Sequence, residues 1–343
     1  MNTVQKTSIF AIFFVHLALV FQSCKPSIRS DENSETAVDT SISKEIREAT
    51  DAIKKDSLNP NLYVRRAKIH ENENDVKSAI TDVYLALVLD SLNPQFYEYG
   101  AELFIKQNDA SRAIALINEG ISLDSNYVQF YILNGKYEFL LKQYDKALAY
   151  LNEAIKRDQF AAQTYYFKGL VFLEKGDTTK ALSAFQTCVE QDPKNSDAYL
   201  QIGLILEKRK DKMAQKYLDN AVKANPNAVD ALYAKGIAQQ DAKHYYEAIE
   251  TFRQIINRNP KAEDAFYAIG YSYLMMDSLQ QAYKHFDLAI KLDPTYFEAY
   301  YKKGVCAENM GNKDEAKSLY IQCLNLSPKY ELAEKALARL EKK

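Results

Sequence analysis

The stretch Glu263–Tyr296, EDAFYAIGYSYLMMDSLQQAYKHFDLAIKLDPTY, decides the fold of this 343-residue chain. Residues of one helical face recur every three to four positions in both halves of it, at Phe266, Ile269, Gly270 and Tyr273 and then at Ala282, Phe286 and Ala289. This spacing predicts two amphipathic helices, which a short turn joins and Pro294 closes. One such hairpin cannot bury its own apolar faces, so it needs copies of itself on both sides.

The copies are present at a period of 34 residues. Glycine, alanine and proline each keep the same register, at Gly135, Gly169, Gly203, Gly236, Gly270 and Gly304, at Ala79, Ala113, Ala147, Ala181, Ala214, Ala248, Ala282 and Ala316, and at Pro193, Pro226, Pro260, Pro294 and Pro328. One interval is 33, because the turn around Lys208–Lys212 is a residue short. Three residue classes in one register establish an internal repeat.

The order of residue types within the unit resembles the tetratricopeptide repeat family: a bulky aromatic, then Gly, Ala, an aromatic, Ala and Pro. The first slot holds Tyr63, Tyr97, Tyr131, Tyr165, Tyr199, Leu232, Phe266 and Tyr300. The family's usual tryptophan is absent there, and the chain contains no Trp at all. The resemblance covers nearly all of the chain after residue 41. It implies an all-α fold, a right-handed α-solenoid whose first helices line a concave groove.

The register divides the chain into segments. Residues 60–330 form about eight repeats, which start near Pro60, Pro94, Val128, Ala162, Ser196, Val229, Glu263 and Phe297. Residues 42–59 carry the pattern of a second helix alone and are predicted to be an N-terminal half-repeat. Residues 331–343 are predicted to be a capping helix, with Leu332, Ala336, Leu337 and Leu340 facing the last hairpin. Caps are expected because the end repeats would otherwise expose apolar surface.

Residues 1–23 are predicted to be an export signal rather than part of the fold. Lys6 precedes the apolar run Ile9–Phe21, which is short for a membrane span and ends at small Ser23 before Cys24. The arrangement V-F-Q-S-C resembles the lipobox of bacterial lipoproteins, and the acidic stretch after it resembles surface-export signals of Bacteroidetes lipoproteins. This implies a lipid on Cys24 and an outer-membrane anchor that faces the periplasm or the surface. A plain secretory signal with an incidental cysteine remains the alternative.

Residues 24–41 are polar and charged with almost nothing to bury, so they are predicted to be a disordered tether. The chain offers no electrostatic case for nucleic acid, because its formal net charge is −2 and it has no basic stripe. Metal-ligand spacings and catalytic motifs are also missing from the sequence. We therefore predict no catalytic residue, no cofactor, no metal and no enzymatic activity.

Three cysteines lie beyond Cys24. Cys188 and Cys323 occupy the slot in which other repeats carry alanine, so they are predicted to be small buried residues rather than reactive thiols. Sequence alone leaves open whether Cys306 and Cys323 form a disulfide, because it does not give their geometry.

In the resembled family, the second, fifth, ninth and twelfth residues of each repeat project into the groove. In the N-terminal repeats these places hold a mixed polar set, whereas in the later repeats they are mainly apolar and aromatic. The predicted partner-binding residues are Tyr166, Leu170, Leu200, Leu204, Tyr233, Tyr267, Tyr271 and Tyr301. Tyrosine offers rigid contact area with a polar tip and is enriched at interface hot spots. Packing of these side chains between neighbouring repeats is the competing interpretation.

We therefore predict a non-enzymatic interaction scaffold that binds a protein or peptide segment in its concave groove. A small-ligand or glycan-binding protein that uses the same groove is the alternative. The sequence leaves the identity of the partner and the oligomeric state open.

Overall fold

A computed structural model of the chain describes residues 43–341, and this part is entirely helical, with no strand. A single helix α1, Lys44–Lys55, is followed by eight hairpins. Their first helices are α2 Pro60–Asn72, α4 Pro94–Lys106, α6 Val128–Leu140, α8 Ala162–Glu174, α10 Ser196–Lys208, α12 Val229–Asp241, α14 Glu263–Met275 and α16 Phe297–Asn309. Their second helices are α3 Val76–Leu89, α5 Ala110–Leu123, α7 Tyr144–Arg157, α9 Thr178–Gln191, α11 Ala214–Ala224, α13 Tyr245–Arg258, α15 Leu279–Leu292 and α17 Lys313–Leu326. Helix α18, Glu331–Glu341, follows them, and the predicted all-α solenoid is confirmed.

The two helices of a hairpin approach closely at the recurrent glycine of the first helix. A Cβ atom added to Gly236 would lie only 2.5 Å from the ring of Phe252 on the second helix. The same contact recurs one repeat later, where Phe286 packs against Gly270. Phe252 and Phe286 are fully buried. The glycine is therefore needed because a large side chain from the partner helix occupies the place of its own.

Each hairpin turns on a residue with left-handed backbone, found at Asn74, Asn108, Lys142, Gly176, Lys210, Lys243, Asp277 and Gly311. Successive positions are 34 residues apart up to Lys210, and the next interval, from Lys210 to Lys243, is 33. The missing residue therefore lies after Lys210. It removes the first turn of α11, which has 11 residues where the other second helices have 14.

The first helices line the inner side of the solenoid. Helices two apart in sequence contact one another mainly where both are first helices, as in the pairs α6 with α8, α10 with α12, α12 with α14 and α14 with α16. Helices on the inside of a curved stack lie closer together than those on the outside. The concave face is therefore built from the first helices.

Both ends of the described part carry single helices. Helix α1 begins after Ser43, whose side chain accepts a hydrogen bond from the Ile46 amide, and it buries Ala49 and Ile53. Helix α18 packs Ala333, Ala336 and Leu340 inward. The prediction for Leu332 is wrong, because this side chain is 49% exposed. Ala333 takes its place in the buried stripe, which continues at the helical spacing of three and four residues.

Cys188, Cys306 and Cys323 are all buried free thiols. Burial raises the pKa of both Cys188 and Cys306 to about 12. A thiol with so high a pKa is a weak nucleophile at neutral pH, which agrees with a packing role. Within residues 43–341, no helix is both long and apolar enough to cross a membrane. The predicted signal, Cys24 and the tether lie outside the described residues.

Candidate partner-binding groove

The predicted binding residues all lie on first helices of the later repeats. We call the concave face of α8, α10, α12, α14 and α16 the C-terminal groove. No predicted side chain in it is fully buried, and the most accessible of them is Leu204, which is 40% exposed. From one helix to the next they are Tyr166 and Leu170 on α8, Leu200 and Leu204 on α10, Tyr233 on α12, Tyr267 and Tyr271 on α14, and Tyr301 on α16.

The groove tyrosines also belong to the core of their own repeats. Ring centroids lie 5.6 Å apart between Tyr233 and Phe252, and 5.5 Å apart between Tyr267 and Phe286. These second-helix aromatics are the same residues that press on the recurrent glycines. Each tyrosine therefore rests one part of its ring on the hairpin and leaves the rest accessible. These tyrosines thus pack within the solenoid, as one interpretation predicts, and also line the groove, as the other predicts.

A concavity of about 560 Å³ lies in the C-terminal groove between α10, α12 and the beginning of α14. Leu200, Leu204, Tyr233 and Ile237 form much of its apolar wall. Small Ala234 also lines it. Three of the predicted binding residues thus meet in one concavity, and the others lie in the same row on either side of it.

One aromatic residue beside the groove was not predicted. Tyr296 stands before α16, outside the groove-lining places of the repeat, and its ring stacks on Tyr267 at 5.0 Å with an interplanar angle of 22°. The Tyr296 hydroxyl donates a hydrogen bond of 2.8 Å to the Asp264 carboxylate. Burial raises the pKa of Tyr267, so its hydroxyl stays neutral at physiological pH. Tyr127 and Tyr330 occupy the same place of the repeat, and Tyr330 packs on Tyr301 at 5.4 Å, so the register could have marked this slot.

The C-terminal end of the groove already holds a cation on its tyrosines. The ammonium of Lys302 lies 5.2 Å from the ring centroid of Tyr271 and 5.8 Å from that of Tyr301. Burial lowers the pKa of Lys302. The ring faces supply the electrostatic attraction that a partly desolvated cation needs.

The N-terminal part of the concave face is polar, and two of its carboxylates have hydrogen-bond or ion-pair partners within the chain. Glu71 on α2 accepts a hydrogen bond of 2.8 Å from the Tyr99 hydroxyl and forms an ion pair with Lys106. Burial acts to raise the pKa of Glu71, but the hydrogen bonds from Lys106 and Tyr99 outweigh it, and the pKa is lowered. Glu98 likewise accepts a hydrogen bond from the Tyr127 hydroxyl. These groups already have partners within the chain.

No group of three or more His, Cys, Asp or Glu side chains in residues 43–341 is placed to hold a metal ion. The groove instead combines accessible apolar side chains, aromatic faces and hydrogen-bonding tips, which suits recognition of another molecule.

The fold and the groove define an α-solenoid repeat protein with a concave recognition surface. Family models described as tetratricopeptide repeat match residues 100–162, 135–196, 166–212, 213–263 and 233–297, and a second model with the same description matches residues 297–330. These matches cover more than half of the chain. The chain belongs to the tetratricopeptide repeat family, and its architecture is that of a protein-interaction scaffold.

Solved structures share the fold at low sequence identity. A chain of the APC/C hetero-tetramer Cut9-Hcn1 matches with a TM-score of 0.53 and 15% identity, over 87% of this chain and 59% of that one. The C-terminal part of a TPR repeat-containing protein from Cytophaga hutchinsonii matches with a TM-score of 0.58 and 18% identity, over 70% of this chain and 99% of that one. The pilF protein of Pseudomonas aeruginosa matches with a TM-score of 0.52 and 17% identity, over 62% of this chain and 97% of that one. No curated protein sequence matches this chain.

Proposed function

We propose that the protein is a non-enzymatic adaptor whose C-terminal groove holds a segment of a partner protein. The observation that carries this proposal is the row of partly accessible Tyr and Leu side chains on the concave face, with Leu204 40% exposed inside a concavity of about 560 Å³. Apolar surface that stays in contact with water gains free energy when a partner covers it. Tetratricopeptide repeats in general bind protein or peptide partners, which supports the same assignment.

The rigid setting of the groove favours binding. Four of the five groove tyrosines pack against a buried aromatic of their own hairpin, as Tyr233 does against Phe252. Side chains that are already fixed lose little conformational entropy when a partner docks. A segment lying along the row would therefore meet a preformed surface.

Site-specific photocrosslinking in the native cell tests this proposal. A photoreactive amino acid at Leu204 reports on the groove, and the same amino acid at Tyr246 reports on the outer face of α13, where Tyr246 is 75% exposed. We expect a defined protein adduct from position 204 that is missing from position 246. The same adducts from both positions, or none from position 204, would contradict the groove assignment.

We further propose that the adaptor is exported and anchored through a lipid on Cys24 in the outer membrane, facing the periplasm or the surface. The apolar run Ile9–Phe21 followed by Ser23 and Cys24 supports this. Two or more acyl chains hold a protein firmly on a bilayer. Metabolic labelling with a fatty acid should tag the wild-type chain and leave Cys24→Ser untagged. Equal labelling of both would refute the anchor.

A small-ligand or glycan-binding role in the same groove is the second candidate. The concavity volume of about 560 Å³ lies within the range typical of ligand pockets. A soluble ligand that binds only the folded state raises the melting temperature in proportion to the logarithm of its concentration. A sugar or metabolite panel that raises the melting temperature, together with no protein adduct at position 204, would favour this candidate over the adaptor.

A further inference from the structure

The charged residues at the groove-lining places of α10, α12, α14 and α16 have one sign. In the four repeats that start at Ser196, every charged residue at the second, fifth, ninth and twelfth places is acidic. These residues are Asp197, Glu207, Asp230, Asp264, Glu298 and Glu308. The chain as a whole has a net charge of only −2, so the acidic character is local to this face. The equivalent places of the N-terminal repeats also carry lysines, at positions 68 and 136.

The same sign appears around the concavity itself. Its lining includes the four carboxylates Glu207, Asp230, Glu263 and Asp264, and no Lys, Arg or His. They surround the apolar wall formed by Leu200, Leu204, Tyr233 and Ile237 described above. Low-dielectric walls beside charges of one sign focus the field onto whatever enters. The concavity is therefore suited to a side chain with an apolar stem and a cationic end.

Of the carboxylates at the groove-lining places, Glu308 pairs with Arg339 at 2.7 Å, whereas the others are not engaged by cations of the described part of the chain. Within residues 43–341, Asp197, Asp230, Asp264 and Glu298 form no ion pair, whereas carboxylates elsewhere in the same repeats pair with lysine or arginine, as Asp219 does with Lys235. The hydrogen bond from the Tyr296 hydroxyl orients Asp264 but leaves its charge. A cationic partner would supply the missing countercharge.

Stabilisation of helix N-termini does not account for this pattern. A carboxylate in the first turn interacts favourably with the helix dipole, and α12, α14 and α16 begin without a side-chain cap. Helices α6 and α8 also begin without a side-chain cap, and their first turns contain no acidic residue. They carry Gln129 and Gln163 at the second place instead. The acidic residues thus follow the apolar groove more closely than they follow the uncapped helices.

We infer that the partner segment is an extended peptide in which lysine or arginine side chains alternate with apolar ones. This rests on the proposed function and names the chemistry of the partner. Lys302 shows the contact within the molecule, because its ammonium sits against the faces of Tyr271 and Tyr301. A basic residue of the partner would place its apolar stem along the Tyr and Leu row and its charge near Asp230 and Asp264.

Peptide display without a chosen sequence tests the inference. The full chain is immobilised and a random library of displayed dodecapeptides is selected on it, in parallel with the variant Asp230→Asn/Asp264→Asn. The control variant Glu247→Gln/Asp314→Asn changes two exposed first-turn acids on the second helices α13 and α17. We expect peptides enriched in Lys or Arg and apolar residues on the wild type and the control, with the Lys and Arg enrichment lost on the groove variant.

Affinity measurements complete the test. Fluorescence anisotropy of a selected peptide should show binding about tenfold weaker to the groove variant than to the control, and the difference should shrink as salt rises. Selected peptides that are neutral or acidic would overturn the inference and leave the adaptor function in place. Failure to select any peptide, combined with no crosslinked protein at position 204, would overturn both. Self-association of the chain through the groove, seen by analytical ultracentrifugation and abolished by Leu204→Asp, would also overturn the basic-peptide assignment.

Discussion

The N-terminal and C-terminal halves of the solenoid use the same hairpin but treat polar groups differently. In the N-terminal half, two carboxylates are paired with cations of the chain: Asp82 with Arg66 at 2.6 Å, and Glu71, which also accepts a hydrogen bond from Tyr99, with Lys106. In the C-terminal half, the groove carboxylates near Tyr233 and Tyr267 have no such cation. The concave face of the second half carries more accessible apolar surface than that of the first. On the proposed function, a shared backbone thus supports a structural half and a recognition half.

The largest expected effect tests whether paired and unpaired carboxylates contribute differently to the free energy of unfolding. Asp82 is only 2% exposed and accepts two hydrogen bonds from Arg66. Asp82→Ala removes the carboxylate partner of the partly buried Arg66 guanidinium and should lower the free energy of unfolding by about 3 kcal/mol. Asp230→Asn should cost less than about 1 kcal/mol, since only a helix-terminal charge is lost. Urea unfolding followed by circular dichroism measures both. Equal losses would show that the groove carboxylates are structural.

The second prediction concerns the glycine slot, which differs between the first two repeats and the later ones. Ala67 and Ala101 occupy it in the first two repeats, where the residue sixteen positions later is Val83 or Ile117. Gly236 faces Phe252 instead, with 2.5 Å between an added Cβ and the ring. Gly236→Ala should therefore destabilise the protein by about 2 kcal/mol through overpacking.

A double-mutant cycle sharpens that prediction. In Gly236→Ala/Phe252→Ile the pair becomes the one that the second repeat already carries, so the added methyl has room. The free energy of unfolding should fall in the double variant by about 1 kcal/mol less than the sum of the two single decreases, measured by urea unfolding. Strict additivity would mean that the close contact of Gly236 with Phe252 carries no strain when alanine is introduced.

The sequence predicts the fold of this chain well because several residue types mark the register of each repeat independently. Gly270, Ala282 and Pro294 mark the same unit independently, and the helices begin where the pattern places them. The groove residues follow from the same register, since the concave face repeats every 34 residues. The one-residue deletion was placed only approximately from sequence, because its position shows in the backbone of Lys210 and the shortened α11.

Other features of the site depend on how closely side chains pack, which the repeat pattern does not give. Tyr296 stacks on Tyr267 from the connection between repeats, and the exposed and buried parts of Tyr233 are set by the position of Phe252 behind it. The volume of the concavity depends on three helices at once. Sequence reasoning therefore finds the row of side chains and misses how much of each one is free. The groove carboxylates could be read from the register, at the second place of the four repeats from Ser196 onward. The hydrogen-bond and ion-pair partners of those carboxylates could not.

The third prediction concerns the pH dependence of binding. Burial, followed by the hydrogen bond with Asp241, raises the pKa of Glu207 at the edge of the concavity. Glu207 therefore takes up a proton at a higher pH than an ordinary glutamate, and the groove loses negative charge first there. A basic peptide should bind about threefold more weakly once the pH falls through this pKa. Glu207→Gln should remove that step from the pH profile of peptide affinity, measured by anisotropy.

Unfolding at low pH does not explain such a step. A carboxyl group whose pKa is raised in the folded state stabilises the fold at pH values below the unfolded pKa and loses this contribution as pH rises through the folded one. Protonation of Glu207 thus favours the fold while it weakens the groove. Helicity by circular dichroism should remain constant over the window in which affinity falls. A parallel loss of helicity, or an unchanged profile in Glu207→Gln, would contradict the assignment to this residue.

The smallest expected effect compares the hairpin turns of the two halves. Asn74 and Lys243 occupy the same place in their repeats and both have a φ of 62°. Asparagine adopts this left-handed conformation more readily than lysine does, because its short side chain bonds locally to the backbone. Lys243→Gly should therefore raise the free energy of unfolding by about 0.5–1 kcal/mol, after the entropy that glycine adds to the unfolded chain is deducted. Asn74→Gly should leave the free energy of unfolding almost unchanged. Urea midpoints of the two variants give the comparison, and equal gains would show that the N-terminal turns carry the same backbone strain as the C-terminal ones.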